Sequence, residues 1–233
     1  MPLNLDKGSV VVVGAVLVQI VAGTVFVWGT ISIYVCSYLQ NNGAPDTTYE
    51  STFLVIPLNY LLTAVFSIIV TGPLHYLNPR LVTFTGCILI TLGIFLCQFV
   101  RSSALILLLY GVVAGIGEGL ILLTPLKCAL YYYPDRKGLI TGINYSGLSI
   151  GLFLFSELFF FLVNPHNKYP DVVRMNGDIE DKYFSNEIAQ NFPRALSIMC
   201  LIMLVLSIFA SLLIRKPGTH WQQIRLSDIS DET

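Results

Sequence analysis

The sequence predicts an all-α membrane protein, a bundle of six transmembrane helices. Three observations lead there. Apolar runs of about twenty residues, the length a helix needs to cross a ~30 Å hydrocarbon core, recur six times. Only 12% of the 233 residues are charged against 55% hydrophobic, and mean hydropathy is +0.72, a balance that no water-facing surface supplies. The polar and charged side chains gather between the runs, where a chain leaves the bilayer.

The first run, 10–39, is long enough to tilt or to project beyond the hydrocarbon. A polar connection, 40–52, separates it from the second run, 53–70, and the short link 71–80 leads to the third, 81–100. Arg101, Ser102 and Ser103 turn the chain into the fourth run, 104–129. A charged hinge carrying Pro134, Asp135, Arg136 and Lys137 opens the fifth, 139–163. The polar stretch 164–194 contains Pro165, Pro170 and Pro193, and within it 178–190 reads as a short amphipathic helix. The sixth run, 195–214, completes a bundle over 1–214, and the acidic, serine-bearing stretch 215–233 reads as a flexible tail.

Lysine and arginine in the loops set the orientation. With the N-terminus inside, the cytosolic side holds Lys7, Arg80, Lys127, Arg136, Lys137, Arg215, Lys216 and Arg225, and the outer side Arg101, Lys168, Arg174, Lys182 and Arg194. Four of those outer five lie in the long 164–194 loop, where charge counts for less, so both termini are expected in the cytosol and that loop outside.

The same composition narrows the function. No basic tract or aromatic groove points to nucleic acid. Cys36, Cys87, Cys97, Cys128 and Cys200 fall in or beside apolar runs without metal-binding spacing, and only Cys36 and Cys97 could meet. His75, His166 and His220 lie in separate polar segments. No nucleophile–base pair or phosphate-binding loop is present, so no catalytic residue, metal or cofactor is expected and the chain does not read as an enzyme.

Small residues every fourth position let membrane helices approach closely, because lipid supplies no hydrophobic drive between them. Gly111, Gly115 and Gly119 form such a row on the fourth helix. On a wheel of about 100° per residue, Gly138 and Gly142 fall on one side of the fifth helix and Gly147 and Gly151 on the other. The fifth helix is therefore expected to be clasped between two neighbours.

Polar residues share faces in the same way. Tyr145, Ser149 and Ser156 line up beside Gly142; Asn59, Tyr60, Thr63 and Ser67 share a broad face of the second helix; Gln19, Gly23, Phe26 and Thr30 share a side of the first, with Trp28 opposite. These faces suggest a watery cavity for a small-molecule solute or a set of interhelical hydrogen bonds. Glu118 is the sharpest single residue, since a carboxylate at mid-membrane costs roughly 2.5–3.5 kcal/mol on insertion scales. It is either a proton-titrating or gating group, or a structural acid bonded to a neighbouring hydroxyl or to Lys127.

Across 110–151 the chain reads Gly115-Ile116-Gly117-Glu118-Gly119, then Thr124-Pro125, then Tyr132-Tyr133-Pro134-Asp135-Arg136-Lys137-Gly138-Leu139 and Gly142. This stretch resembles the major facilitator superfamily, and within it the oxalate:formate antiporter family, relatives of the monocarboxylate transporters. Gly23 to Thr30, with its glycine, aromatic and tryptophan pattern, is similar to that family's first helix. The resemblance implies the N-terminal half of a twelve-helix transporter that moves a small solute, with a carboxylate as the candidate class, by alternating access of two six-helix bundles. It implies aromatic lining from Trp28 and Tyr145, and it places the substrate-pairing cations in a second half, which would be supplied by another copy, a partner chain or a longer product. Two departures stand out. The loop between helices two and three reads Gly72-Pro73-Leu74-His75-Tyr76-Leu77-Asn78-Pro79-Arg80 and lacks the family's aspartate, and six helices are present where the family has twelve. The rival reading is a non-transporting membrane scaffold or assembly subunit built on the same bundle.

Overall fold

A computed structural model describes residues 7–176 and 179–215; the tail beyond Arg215, with Lys216, His220 and Arg225, lies outside the described residues. Among the described residues, six helices are long and apolar enough to cross a membrane: α1 (Lys7–Asn41), α2 (Tyr49–Thr71), α3 (Pro79–Phe99), α4 (Ser103–Tyr132), α5 (Pro134–Val163) and α6 (Asn186–Leu213). The protein is an all-α, multi-pass membrane bundle. Large hydrophobic side chains such as Ile68, Phe153, Phe161 and Leu201 stand on its outside, as lipid contact requires. One end of the bundle, the terminus face, carries the start of α1 and the end of α6; the other, the loop face, carries the 42–48 and 164–185 connections.

Local chemistry sets the helix ends. Thr48 caps α2 by accepting from the Ser51 amide, and the Ser51 hydroxyl in turn receives the Thr48 amide, which starts the helix well before its apolar run. Asn78 caps α3 through the Arg80 amide, ahead of Pro79 in the first turn. Pro193 sits in the first turn of the main segment of α6 (Phe192–Leu213), another position that lacks nothing by having no N–H.

Irregular winding inside α1, α3 and α4 positions the site. The span Gly23–Val27 of α1 is wound as a 3₁₀ helix. In α4, Leu107–Val113 is a π-helical segment, and a second dislocation falls at Leu123, between Ala114–Leu122 and Thr124–Tyr132, where Pro125 removes a donor. The last turn of α3, Cys97–Phe99, tightens to 3₁₀.

Helix α4 is the clasped element. An added Cβ on Gly115 would lie 2.9 Å from the Asn59 carbonyl oxygen and one on Gly119 2.9 Å from that of Thr63, both on α2. One on Gly117, on the opposite side, would lie 2.6 Å from the Gly86 carbonyl of α3. Backbones that close leave no room for a side chain. The expected two-sided clasp of α5 is thus half right. Gly147 and Gly151 seat against the Val16 and Ile20 carbonyls of α1, whereas Cβ atoms on Gly138 and Gly142 would meet nothing within 4 Å. Those two glycines face outward because, among the described residues, no neighbouring helix covers them.

The 164–185 connection also departs from expectation. Instead of an amphipathic helix over 178–190, Val172–Asn176 and Ile179–Tyr183 pair as an antiparallel hairpin, followed by one helical turn at Asn186–Ala189. Val172 and Val173 favour a strand, and Gly177-Asp178, the dipeptide between the two paired segments, is a hairpin signal in the sequence. The segment docks on the loop face: Phe184 stacks on Tyr34 with centroids 4.5 Å apart, and its amide donates to Ser37 Oγ at 3.0 Å.

Candidate functional site

Carbonyls of α4 are held at three levels by polar side chains from α1 and α2. Asn59 Nδ2 donates to the Tyr110 carbonyl at 3.1 Å, within the π segment. Thr63 Oγ1 lies 3.2 Å from the Gly115 carbonyl, and Gln19 Nε2 donates to the Leu122 carbonyl at 3.1 Å, beside the second dislocation. Non-α winding redirects backbone carbonyls, and in a membrane each must find a protein donor. The two buried amides are placed to supply them, and the Thr63 hydroxyl adds a donor to a carbonyl within the α-helical stretch Ala114–Leu122.

Tyr110 ties the same segment to α1. It is fully buried, its Oη donates toward the Thr24 and Val25 carbonyls at 3.2 and 3.0 Å, and its ring lies 4.6 Å from that of Trp28. Those carbonyls belong to the 3₁₀ stretch of α1, so irregular backbone on one helix is satisfied from irregular backbone on the other.

Of the predicted cavity residues, Gln19, Asn59, Thr63 and Glu118 are buried inside the bundle, with Glu118 1% exposed and 3.2 Å from Thr63 Oγ1. Its carboxylate is bonded by the Thr63 hydroxyl and not by Lys127, which lies nine residues further along α4, about 13 Å in rise. Trp28 packs against Tyr110 and does not line open space. Phe26 is half-buried, its ring 5.7 Å from Tyr60, and Tyr60, Tyr145 and Ser149 are exposed on α2 and α5. The predicted set therefore divides into an interior network and an open strip. Gly29 and Gly142 belong with the strip, each with nothing within 4 Å of an added Cβ.

Sequence reading missed Asn144, which is 1% exposed and whose amide atoms have no hydrogen-bond partner among the described residues, three residues before Gly147 on the α1-facing side of α5. The signal was an asparagine one turn from a close-packed glycine. Also missed was Gln98, a hub on the loop face: its Oε1 accepts from Ser197 at 2.7 Å and its carbonyl from Tyr38 at 2.8 Å, joining α1, α3 and α6.

Cys36 lies by Thr48 and Thr52 and Cys97 by the Gly93 carbonyl, so the two do not meet, and all five cysteines are free and buried. Pro134–Arg136 forms a 3₁₀ turn into α5, exposed with Lys137 at the terminus face. Arg80 donates from Nε to the Ile214 carbonyl at 3.1 Å and from Nη2 to that of Leu212 at 3.0 Å, closing the C-terminus of α6.

No family model matches the chain. It is similar to the apicoplast pyruvate carrier 1 of Toxoplasma gondii, 27% identical across 91% of this chain and 46% of that protein. Shorter stretches are similar to monocarboxylate transporter 13 of Rattus norvegicus, 36% identical over 38% of this chain and 21% of that protein, and to monocarboxylate transporter 9 of Pongo abelii, 32% identical over 35% and 16%. The chain spans less than half the length of the curated relatives it matches. All three are, by name, carriers or transporters rather than enzymes, in keeping with the reading that this chain is no enzyme.

Proposed function

We propose that this chain forms one six-helix bundle of an alternating-access carrier for a small monocarboxylate, of the major facilitator type, working against a second six-helix bundle. The observation that carries the reading is the open strip. Tyr60, Tyr145 and Ser149 place hydroxyls on the outside of membrane helices, next to glycines with empty space before them. Lipid rewards neither, whereas a second bundle facing this side would enclose the hydroxyls as donors to a carboxylate. Similarity to a pyruvate carrier across most of the chain supports that solute class. Cations that balance its charge would come from the second bundle, as the resemblance to oxalate:formate antiporters implies.

The lysine and arginine distribution favours a cytosolic terminus face, with the hairpin on the other side. The apicoplast carrier among the relatives favours an organelle membrane. The test is the oligomeric state of the purified chain together with labelled pyruvate uptake into liposomes that contain it. Association into a two-bundle unit with saturable uptake is expected; a strict monomer without uptake would overturn the reading in favour of a scaffold.

A further inference from the structure

Thr63 has one hydroxyl proton and two acceptors. Its Oγ1 lies 3.2 Å from the Gly115 carbonyl and 3.2 Å from Glu118 Oε2. A hydroxyl donates one hydrogen and accepts others, while an ionised carboxylate only accepts. With Glu118 ionised, the carboxylate and the carbonyl compete for a single proton. With Glu118 protonated, its own O–H points to Thr63 Oγ1, the Thr63 proton goes to Gly115, and every group is satisfied.

We propose that Glu118 and Thr63 form a proton-dependent latch between α2 and α4. Protonated Glu118 commits the Thr63 hydroxyl to the α4 backbone at Gly115; ionised Glu118 takes that hydroxyl for itself and the backbone contact is released. The proton exchanges with bulk water. The site suits this because α2 and α4 lie as close as backbones allow, with Gly115 and Gly119 against Asn59 and Thr63. A small change in hydroxyl direction there is felt directly between the two helices.

The surroundings leave Glu118 as the group that decides. Between Gly8 and Asn41, α1 has no acidic or basic side chain; α2 carries Glu50 at its loop-face end; α3 carries only Arg80, engaged with α6 at the terminus face. Within α4 the other charged group is Lys127, well below Glu118. The other titratable side chains near Glu118 are Tyr60 on α2 and Tyr110 on α4, and Cys87 of α3 lies toward Ser207 of α6.

The latch deepens the carrier reading, on which its role in transport rests, but it can be read without transport. Phe53 and Leu105, both exposed, mark the loop-face ends of α2 and α4, and the five native cysteines are buried. Spin labels on a Phe53→Cys, Leu105→Cys chain in liposomes report the spacing. Between about pH 5 and about pH 8 the pair is expected to move apart in the otherwise native chain and in Thr63→Ser. Glu118→Gln, whose amide donates to Thr63 at any pH, is expected to stay in the close state, and Thr63→Val in the open one. A Glu118→Gln pair that responds to pH as the native pair does would overturn the latch, as would a native pair that does not respond. Should Thr63→Val fail to fold, Glu118→Gln against the native chain still decides. Loss of pyruvate uptake with the label response intact sinks the carrier reading alone; uptake with no response sinks the latch alone.

Discussion

Asn59 Nδ2 meets the Tyr110 carbonyl where the α4 ladder is π-wound. A membrane offers that carbonyl no water, so the amide is its outside donor. Asn59→Leu, close in size, is expected to lower stability by about 1–2 kcal/mol, within the range of interhelical membrane hydrogen bonds plus an unsatisfied acceptor. Thermal unfolding of the purified chain measures this. A Leu variant as stable as the native chain would mean the π segment needs no support from α2.

Glycine substitutions separate packing inside the bundle from packing reserved for something outside it. Gly117→Ala pushes a methyl against the Gly86 carbonyl and should cost about 1–3 kcal/mol, the range for overpacking a close contact. Gly142→Ala meets nothing and should leave the isolated bundle as stable as before, or slightly more so through helix propensity. If a second bundle docks on that side, the same Gly142→Ala should weaken association of the purified chain, seen by light scattering or native mass spectrometry. Equal stability losses for the two variants would contradict the open strip.

How much of this was legible in the sequence follows from where the backbone is regular. Hydropathy reports a span whatever its internal winding, which is why six helices could be read directly. Facing was legible only where 100° per residue holds. On α4, past the π segment, it placed Gly115 and Gly119 correctly against one neighbour. On α1 the 3₁₀ stretch Gly23–Val27 advances the chain by about three residues per turn, so Trp28 swings in against Tyr110 while Gln19 points to α4. On α5 the wheel was right about which glycines oppose each other and silent about which side has a neighbour, since that depends on chains of contact no local pattern encodes. Asn144 was passed over for the same reason.

Arg80 replaces a missing loop charge with a different task. Its guanidinium closes the last carbonyls of α6 from the start of α3, at the terminus face. Arg80→Gln should fray α6 near Leu212–Ile214, with faster hydrogen exchange there and a stability loss of about 1 kcal/mol. Arg80→Lys should recover little, because a single ammonium cannot reproduce two donors spread across a planar fork. Protection unchanged in Arg80→Gln would show that α6 is held by packing alone.

On the loop face an ion pair and a ring stack compete for credit, and magnitude decides between them. Lys168 Nζ and Glu187 Oε2 are 2.8 Å apart but both side chains are largely exposed. The bond to the Lys168 ammonium holds the Glu187 carboxyl below its usual range. A depressed carboxyl contributes stability above its unfolded pKa, and that contribution is lost as pH falls through the folded value, so it is fully present at neutral pH and disappears in acid. For a pair this exposed the contribution is near the noise of measurement, and Glu187→Gln should leave the melting profile at neutral pH unmoved. Phe184 is different: it is 5% exposed, stacked on Tyr34, and its backbone amide is bound by Ser37. Phe184→Ala should cost about 3–5 kcal/mol if the hairpin docks as one unit with the bundle, and should open the 172–183 hairpin to protease. Melting curves of the two variants side by side test the ordering. A larger loss for Glu187→Gln than for Phe184→Ala would mean that charge, not ring packing, holds the hairpin to α1.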